Sequence, residues 1–88
     1  FFIHEKYNIV DSIGRGGTAR VLLCEHLKLE RFVAIKLLDR SFEKRPGAVE
    51  RFMREARTAA KFDHPHVGRV FDADVSSSGP YLVMEYID

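Results

Sequence analysis

The sequence predicts an α+β fold, a five-stranded antiparallel sheet carrying one main helix, in a single small domain over residues 1–88. Three observations lead there. Short apolar runs with strand character begin at Tyr7, Ala19, Phe32, Val67 and Pro80. One stretch, Ala48 to Phe62, instead repeats its apolar residues at three- and four-residue steps. The connections between runs are short, which suits antiparallel neighbours, because parallel strands need a crossover of a dozen or more residues.

The elements follow in order. Tyr7 to Ile13 reads as a strand from the even spacing of Tyr7, Ile9 and Ile13, with Asp11 and Ser12 giving it one wet face. Ala19 to Leu27 reads as a second strand turning back along the first, since Val21-Leu22-Leu23-Cys24 shows no 3.6-residue stripe. Lys28, Glu30 and Arg31 form a charged connection to a third strand, Phe32 to Leu38. Ser41 to Lys44 fits one helical turn, and Pro46-Gly47 punctuates. In the main helix Val49, Phe52, Met53, Ala56, Ala59 and Ala60 form one apolar stripe, and Asp63-His64-Pro65 ends it. Val67 to Ala73 and Pro80 to Ile87 complete the sheet, joined by the polar turn Ser76-Ser77-Ser78-Gly79.

Composition narrows the function classes. Apolar residues make up 45% and charged residues 31%, as in an ordinary globular domain. Fourteen basic against 13 acidic residues leave a net charge of +1, which gives no basis for nucleic acid or a membrane surface as partner. Cys24 is the single cysteine, so no internal disulfide forms, and its apolar neighbours mark it as a packed thiol rather than a nucleophile. No apolar run reaches 18 residues. Phe1-Phe2-Ile3 is too short for a signal sequence, and the abrupt start suggests a piece of a longer chain.

The chemistry begins in the stretch Ile13-Gly14-Arg15-Gly16-Gly17-Thr18-Ala19-Arg20-Val21. Its glycines let the backbone approach a ligand closely, and exposed N–H groups in such a loop make an anion site for which phosphate is the usual occupant. A Walker-type loop needs Gly-Lys followed by Ser or Thr, and no Gly-Lys pair occurs. A dinucleotide fold fits the spacing of Gly14, Gly16 and Ala19, with Asp39 as the later acid, but its first strand would be apolar throughout. A protein-kinase loop fits Gly14, Gly16 and Val21, and Val33-Ala34-Ile35-Lys36 follows in full.

Alternation puts Ala34 and Lys36 on one strand face. A lysine in an apolar strand needs a partner, and Glu55 beside the helix stripe, 19 residues on, can supply it. Each has a plainer reading alone, Lys36 as an edge lysine and Glu55 as a solvated helix residue. Together with the glycine loop the plainer readings lose ground.

Five stretches in order carry a resemblance: Gly14 to Val21, Val33-Ala34-Ile35-Lys36, Arg51-Phe52-Met53-Arg54-Glu55-Ala56, Phe62-Asp63-His64-Pro65-His66-Val67 and Tyr81-Leu82-Val83-Met84-Glu85-Tyr86-Ile87-Asp88. The chain resembles the N-terminal lobe of a eukaryotic-type protein kinase, nearest to the bacterial serine/threonine kinases, over Lys6 to Asp88. The resemblance implies a lobe that binds ATP for transfer of its γ-phosphate to protein hydroxyls. Lys36 would hold the α- and β-phosphates and pair with Glu55. Gly14, Arg15, Gly16, Gly17, Thr18 and Ala19 would form the loop over the phosphates. Ile13, Val21 and Ala34 would enclose the adenine, Met84 would stand behind it, and Glu85 and Ile87 would bond it through their backbones. Plain core packing also explains Ile13, Val21 and Met84.

Two positions depart from the family pattern. Ala19 replaces the third glycine, and Gly68 stands where a branched residue is usual, leaving room. The resemblance also places Asp88 in the hinge, so the catalytic loop and the Mg²⁺ ligands are expected outside this chain, and the chain alone is not expected to be competent. His64 and His66 make no metal set, and a loop role is expected for both. Implied partners are ATP, a protein substrate, the chain's own C-terminal lobe and a second copy meeting through the Leu27–Leu29 turn, with no nucleic acid and no membrane contact. The implied location is cytoplasmic, free or as the inner domain of a membrane-anchored receptor kinase. Two alternatives stay open: a dinucleotide-binding oxidoreductase, which a helix over 17–30 would favour and a strand over 20–27 would exclude, and a non-catalytic pseudokinase module.

Overall fold

The computed structural model describes residues 2–3, 6–16, 19–57, 66–76 and 79–87. Its strands are β1 (Phe2–Ile3), β2 (Tyr7–Gly16), β3 (Ala19–His26), β4 (Arg31–Leu38), β5 (Val67–Ser76) and β6 (Gly79–Tyr86). Its helices are α1 (Arg40–Glu43) and α2 (Ala48–Arg57). The strands form one sheet in the order β1-β2-β3-β4-β6-β5, with every neighbouring pair antiparallel. The predicted sheet is thus present, with a short sixth strand added: Phe2 pairs with Asn8 and Ile3 with Tyr7. Two residues are too few to show a period of two in sequence.

A strand over Ala19–His26 also removes the oxidoreductase alternative, which a strand in this region was expected to exclude. The predicted helix begins where expected, at Ala48, and is described to Arg57; the rest of its predicted length, with Ala59 and Ala60, lies outside the described residues. Asp39 caps α1, accepting from the Ser41 backbone N–H at 3.0 Å and from its hydroxyl at 2.9 Å. Gly47 joins the helices at φ 77°, a left-handed conformation that glycine adopts without strain.

The sheet buries both faces. On one lie Tyr7, Leu22, Cys24, Val33, Ile35, Leu37, Tyr81 and Val83. A flat sheet would hold β2 and β6 about 14 Å apart, three strand spacings, yet the rings of Tyr7 and Tyr81 meet edge-on with centroids 6.4 Å apart. Curvature and the reach of two tyrosines close this face. On the other, α2 lays Val49, Phe52 and Met53 against Ala19, Leu38 and Leu82. Beside that helix-covered half, Val21, Ala34 and Met84 form a separate cluster with Ile13, Val67 and Val70.

One sequence inference needs correction. Even spacing would place Tyr7, Ile9 and Ile13 on one face. Instead Ile9 packs with the Tyr7 cluster and Ile13 with Val21 on the opposite face. The cause is a register shift in β2 between Ile9 and Asp11, which adds a residue opposite β3 before Ile13; a second shift, between Ser12 and Gly14, falls at Ile13 itself. A bulge re-aims the side chains beyond it.

Burial sets the titration of this core. It pushes the Cys24 thiol from 9.0 up to about 12. Burial, with the Asp74 carboxylate second, pushes Tyr81 from 10.0 up to about 12, and Tyr7 is raised by burial first and by Asp72 next. The unfolded chain therefore releases these protons before the folded one does, so stability falls as pH rises above about 9 toward 12. Urea midpoints measured across that range should decline steadily from a plateau at lower pH. Native Cys24 should resist iodoacetamide at pH 8.5 and react at once on denaturation; rapid native labelling would contradict its burial.

Candidate functional site

The glycine stretch is the β2–β3 hairpin. Gly14 pairs with Val21, Arg15 with Arg20 and Gly16 with Ala19, so β2 runs further into the loop than sequence alone suggested, while β3 begins at Ala19 as expected. Gly17 and Thr18 lie outside the described residues. Ala19 is buried, and its methyl packs with Leu38, Phe52 and Leu82 on the helix side. The departure from glycine therefore serves the core at the hairpin's return.

β4 sets the remaining positions. Its register pairs Val21 with Lys36 on one side and Lys36 with Leu82 on the other, while Ala34 pairs with Met84. Ala34, Lys36 and Leu38 alternate onto one face. Ala34 belongs to the Val21–Met84 cluster and Leu38 to the helix cluster. Half-buried Lys36 stands between them. The structure thus brings Ile13, Val21, Ala34 and Met84 into a single apolar plate, with a lysine at its border.

Glu55 lies in α2, but its side chain is outside the described residues, as is that of Arg15. Glu85 pairs with Val33 and is half-buried. The room left by Gly68 is used by Glu85: a Cβ built on Gly68 would collide with the Glu85 carboxylate. Ile87 is half-exposed. Its N–H donates to the His66 carbonyl at 2.6 Å, and its own carbonyl lies 2.6 Å from His66 Nδ1. The loop role read for His66 missed this contact; a His-Pro-His stretch carries no signal that its second ring reaches a strand 21 residues on. His64 lies outside the described residues.

Among the described residues no three His, Cys, Asp or Glu side chains converge as a metal site. None of the described helices is long and apolar enough to cross a membrane.

Comparison with known proteins bears on the family and the fold. The protein kinase domain family matches residues 7–88. Serine/threonine-protein kinase PrkC of Bacillus subtilis is 38% identical over 86 residues, covering 98% of this chain and 13% of that protein. Serine/threonine-protein kinase PknB of Mycobacterium leprae is 36% identical over 90 residues, covering 98% of this chain and 14% of that protein. The chain therefore spans a small fraction of these relatives. The crystal structure of the Mycobacterium tuberculosis PknI kinase domain superposes with a TM-score of 0.70 at 26% identity, covering all of this chain and 35% of that one.

The two packing relations at the site should differ in cost. Met84→Ala opens a hole in a fully buried cluster and should lower unfolding free energy by about 2–5 kcal/mol. Gly68→Ala asks only the end of a flexible glutamate to swing away and should cost under about 1 kcal/mol. Denaturant unfolding of both variants checks this; equal losses would mean that Glu85 is not free to yield.

Proposed function

Since the chain belongs to the protein kinase family, we propose that residues 1–88 are the ATP-binding lobe of a serine/threonine protein kinase, ending in the hinge, whose second lobe follows. The observation that carries this reading is the plate of Ile13, Val21, Ala34 and Met84, bounded on the same sheet face by Lys36. In the described structure Val21, Ala34 and Met84 are buried against Ile13, Val67 and Val70; an apolar face of that kind, once uncovered, fits a purine ring. A charge at its edge fits the phosphates that the purine carries.

The roles follow from position. Ile13, Val21 and Ala34 cover the base and Met84 backs it. Backbone groups of Glu85 and Ile87 hold its edge. The hairpin from Gly14 through Arg15, Gly16, Gly17 and Thr18 to Ala19 lies over the phosphates, where backbone N–H groups can accept no steric competition from side chains at the glycines. Lys36 stabilises charge on the α- and β-phosphates, and Glu55 from α2 orients the lysine. The Mg²⁺ ligands and the group that receives the substrate hydroxyl's proton belong to the rest of the enzyme. The phosphoryl acceptor is a serine or threonine of a protein substrate. A buried free thiol suits the cytoplasmic side of a membrane, whether the kinase is free or anchored.

The β3–β4 turn supports a second, weaker association. Leu27 and Leu29 are exposed there, with Leu29 64% accessible, and the turn is well formed: Glu30 N–H donates to the His26 carbonyl at 2.8 Å and Leu29 N–H to His26 Nδ1 at 3.2 Å. A preformed turn with two projecting leucines suits contact with a second copy.

In the full-length protein Lys36→Met should reduce phosphate transfer to a protein substrate by at least about a hundredfold, the scale for losing one charge-stabilising group. Glu55→Gln should give a smaller loss, because glutamate positions the lysine without touching phosphate. Residues 1–88 alone should bind ATP weakly and transfer nothing. Radiolabelled phosphate transfer measures all three, and near-normal turnover by Lys36→Met would overturn the assignment of the site.

A further inference from the structure

The end of β6 carries a contact that phosphate transfer does not require. Val67 and Tyr86 are the last strand partners between β5 and β6. One step beyond them, His66 and Ile87 add a rung of a different kind. The Ile87 N–H donates to the His66 carbonyl at 2.6 Å. The Ile87 carbonyl lies 2.6 Å from His66 Nδ1, and since a carbonyl only accepts, Nδ1 carries the proton in this bond. The His66 ring also lies on Tyr86, with centroids 5.9 Å apart and planes tilted by 37°. Both polar backbone groups of Ile87 are therefore directed at His66. The Ile87 side chain is half-exposed, so polar bonds to His66 rather than burial hold this residue.

Resting on the reading of Ile87 as a backbone donor to adenine, we propose that His66 is a positioning residue that competes with the base for the backbone of Ile87. One N–H does not serve two acceptors at full strength. To reach a base, the Ile87 amide must leave the His66 carbonyl, and the imidazole bond to the Ile87 carbonyl resists that turn. The binding-competent backbone is a minor state, and apparent affinity is reduced by its fraction. Removing the imidazole bond raises that fraction. A residue that only braced the hinge would bond the Ile87 carbonyl and leave the N–H for the ligand; here His66 takes both. The competition concerns the base alone, because Lys36 and the hairpin lie on other strands.

Calorimetric titration of the full-length protein with the non-hydrolysable imido analogue of ATP, and with inorganic tripolyphosphate, tests this. His66→Ala should bind the nucleotide about three- to tenfold more tightly, the scale of one neutral hydrogen bond, with tripolyphosphate affinity unchanged. His66→Asn keeps an amide donor near the Ile87 carbonyl and should return toward the wild-type value. In the wild-type protein, the ¹⁵N signal of His66 Nδ1 should shift on adding adenosine and stay in place on adding tripolyphosphate, a readout that needs no variant to fold. Unchanged or weaker nucleotide binding by His66→Ala would overturn the competition while leaving ATP binding intact. Equal tightening of tripolyphosphate, or an Nδ1 signal indifferent to adenosine, would overturn it as well. Absence of nucleotide binding by the wild-type protein would reject the ATP reading itself.

Discussion

A lysine on a packed face of a central strand is the constraint from which this structure can be understood. β4 pairs along its length with β3 and, over Val33 to Leu37, with β6, and Val33, Ala34, Ile35, Leu37 and Leu38 are all buried. Lys36 is the one charged residue among them. A charge on a packed face is costly to bury, and the packing on this face falls into a cluster under α2 and a cluster around Ala34, joined by Val70, which packs against both, with half-buried Lys36 between them. The opposite face forms one cluster from Tyr7 to Val83.

That asymmetry explains how so short a chain packs a sheet on two sides. Eighty-eight residues leave a thin core. One side is covered by α2 over part of its width, and the other is closed by curvature and by the tyrosines reaching across it. The bulges of β2 contribute to both. Before the first the strand feeds Tyr7 and Ile9 to the closed face; after it, at the second, it delivers Ile13 to the divided one. A regular strand would have sent all three to the same place.

How much of this was legible in the sequence depended on the range of the interaction. Strand and helix identity came from local periodicity, and the Val33 to Lys36 run with the glycine stretch pointed to nucleotide chemistry before any pairing was known. The grouping of Ile13 with Val21, Ala34 and Met84 followed only from resemblance, because no local pattern predicts a bulge: the extra residue is defined by what the partner strand does. The same holds for Ala19. Its methyl looked like an imperfection in a ligand loop and is core packing against Phe52. Gly68 looked like a hole and is filled by a side chain 17 residues away. His66 had no readable signal, since its partner is a backbone group, and backbone groups leave no trace in sequence.

The divided face also gives the site its mechanical character. Three strands each send one residue to the plate and another to the helix cluster: Val21 and Ala19 from β3, Ala34 and Leu38 from β4, Met84 and Leu82 from β6. Within each strand the two are separated by two or four residues on the same face. Strands held on both sides by ladder hydrogen bonds bend little over that distance. A displacement imposed at Val21 or Met84 is therefore transmitted to the surface on which Phe52, and with it α2, rests. The two clusters are joined by the same three strands. Lys36 occupies the point on the middle strand between them.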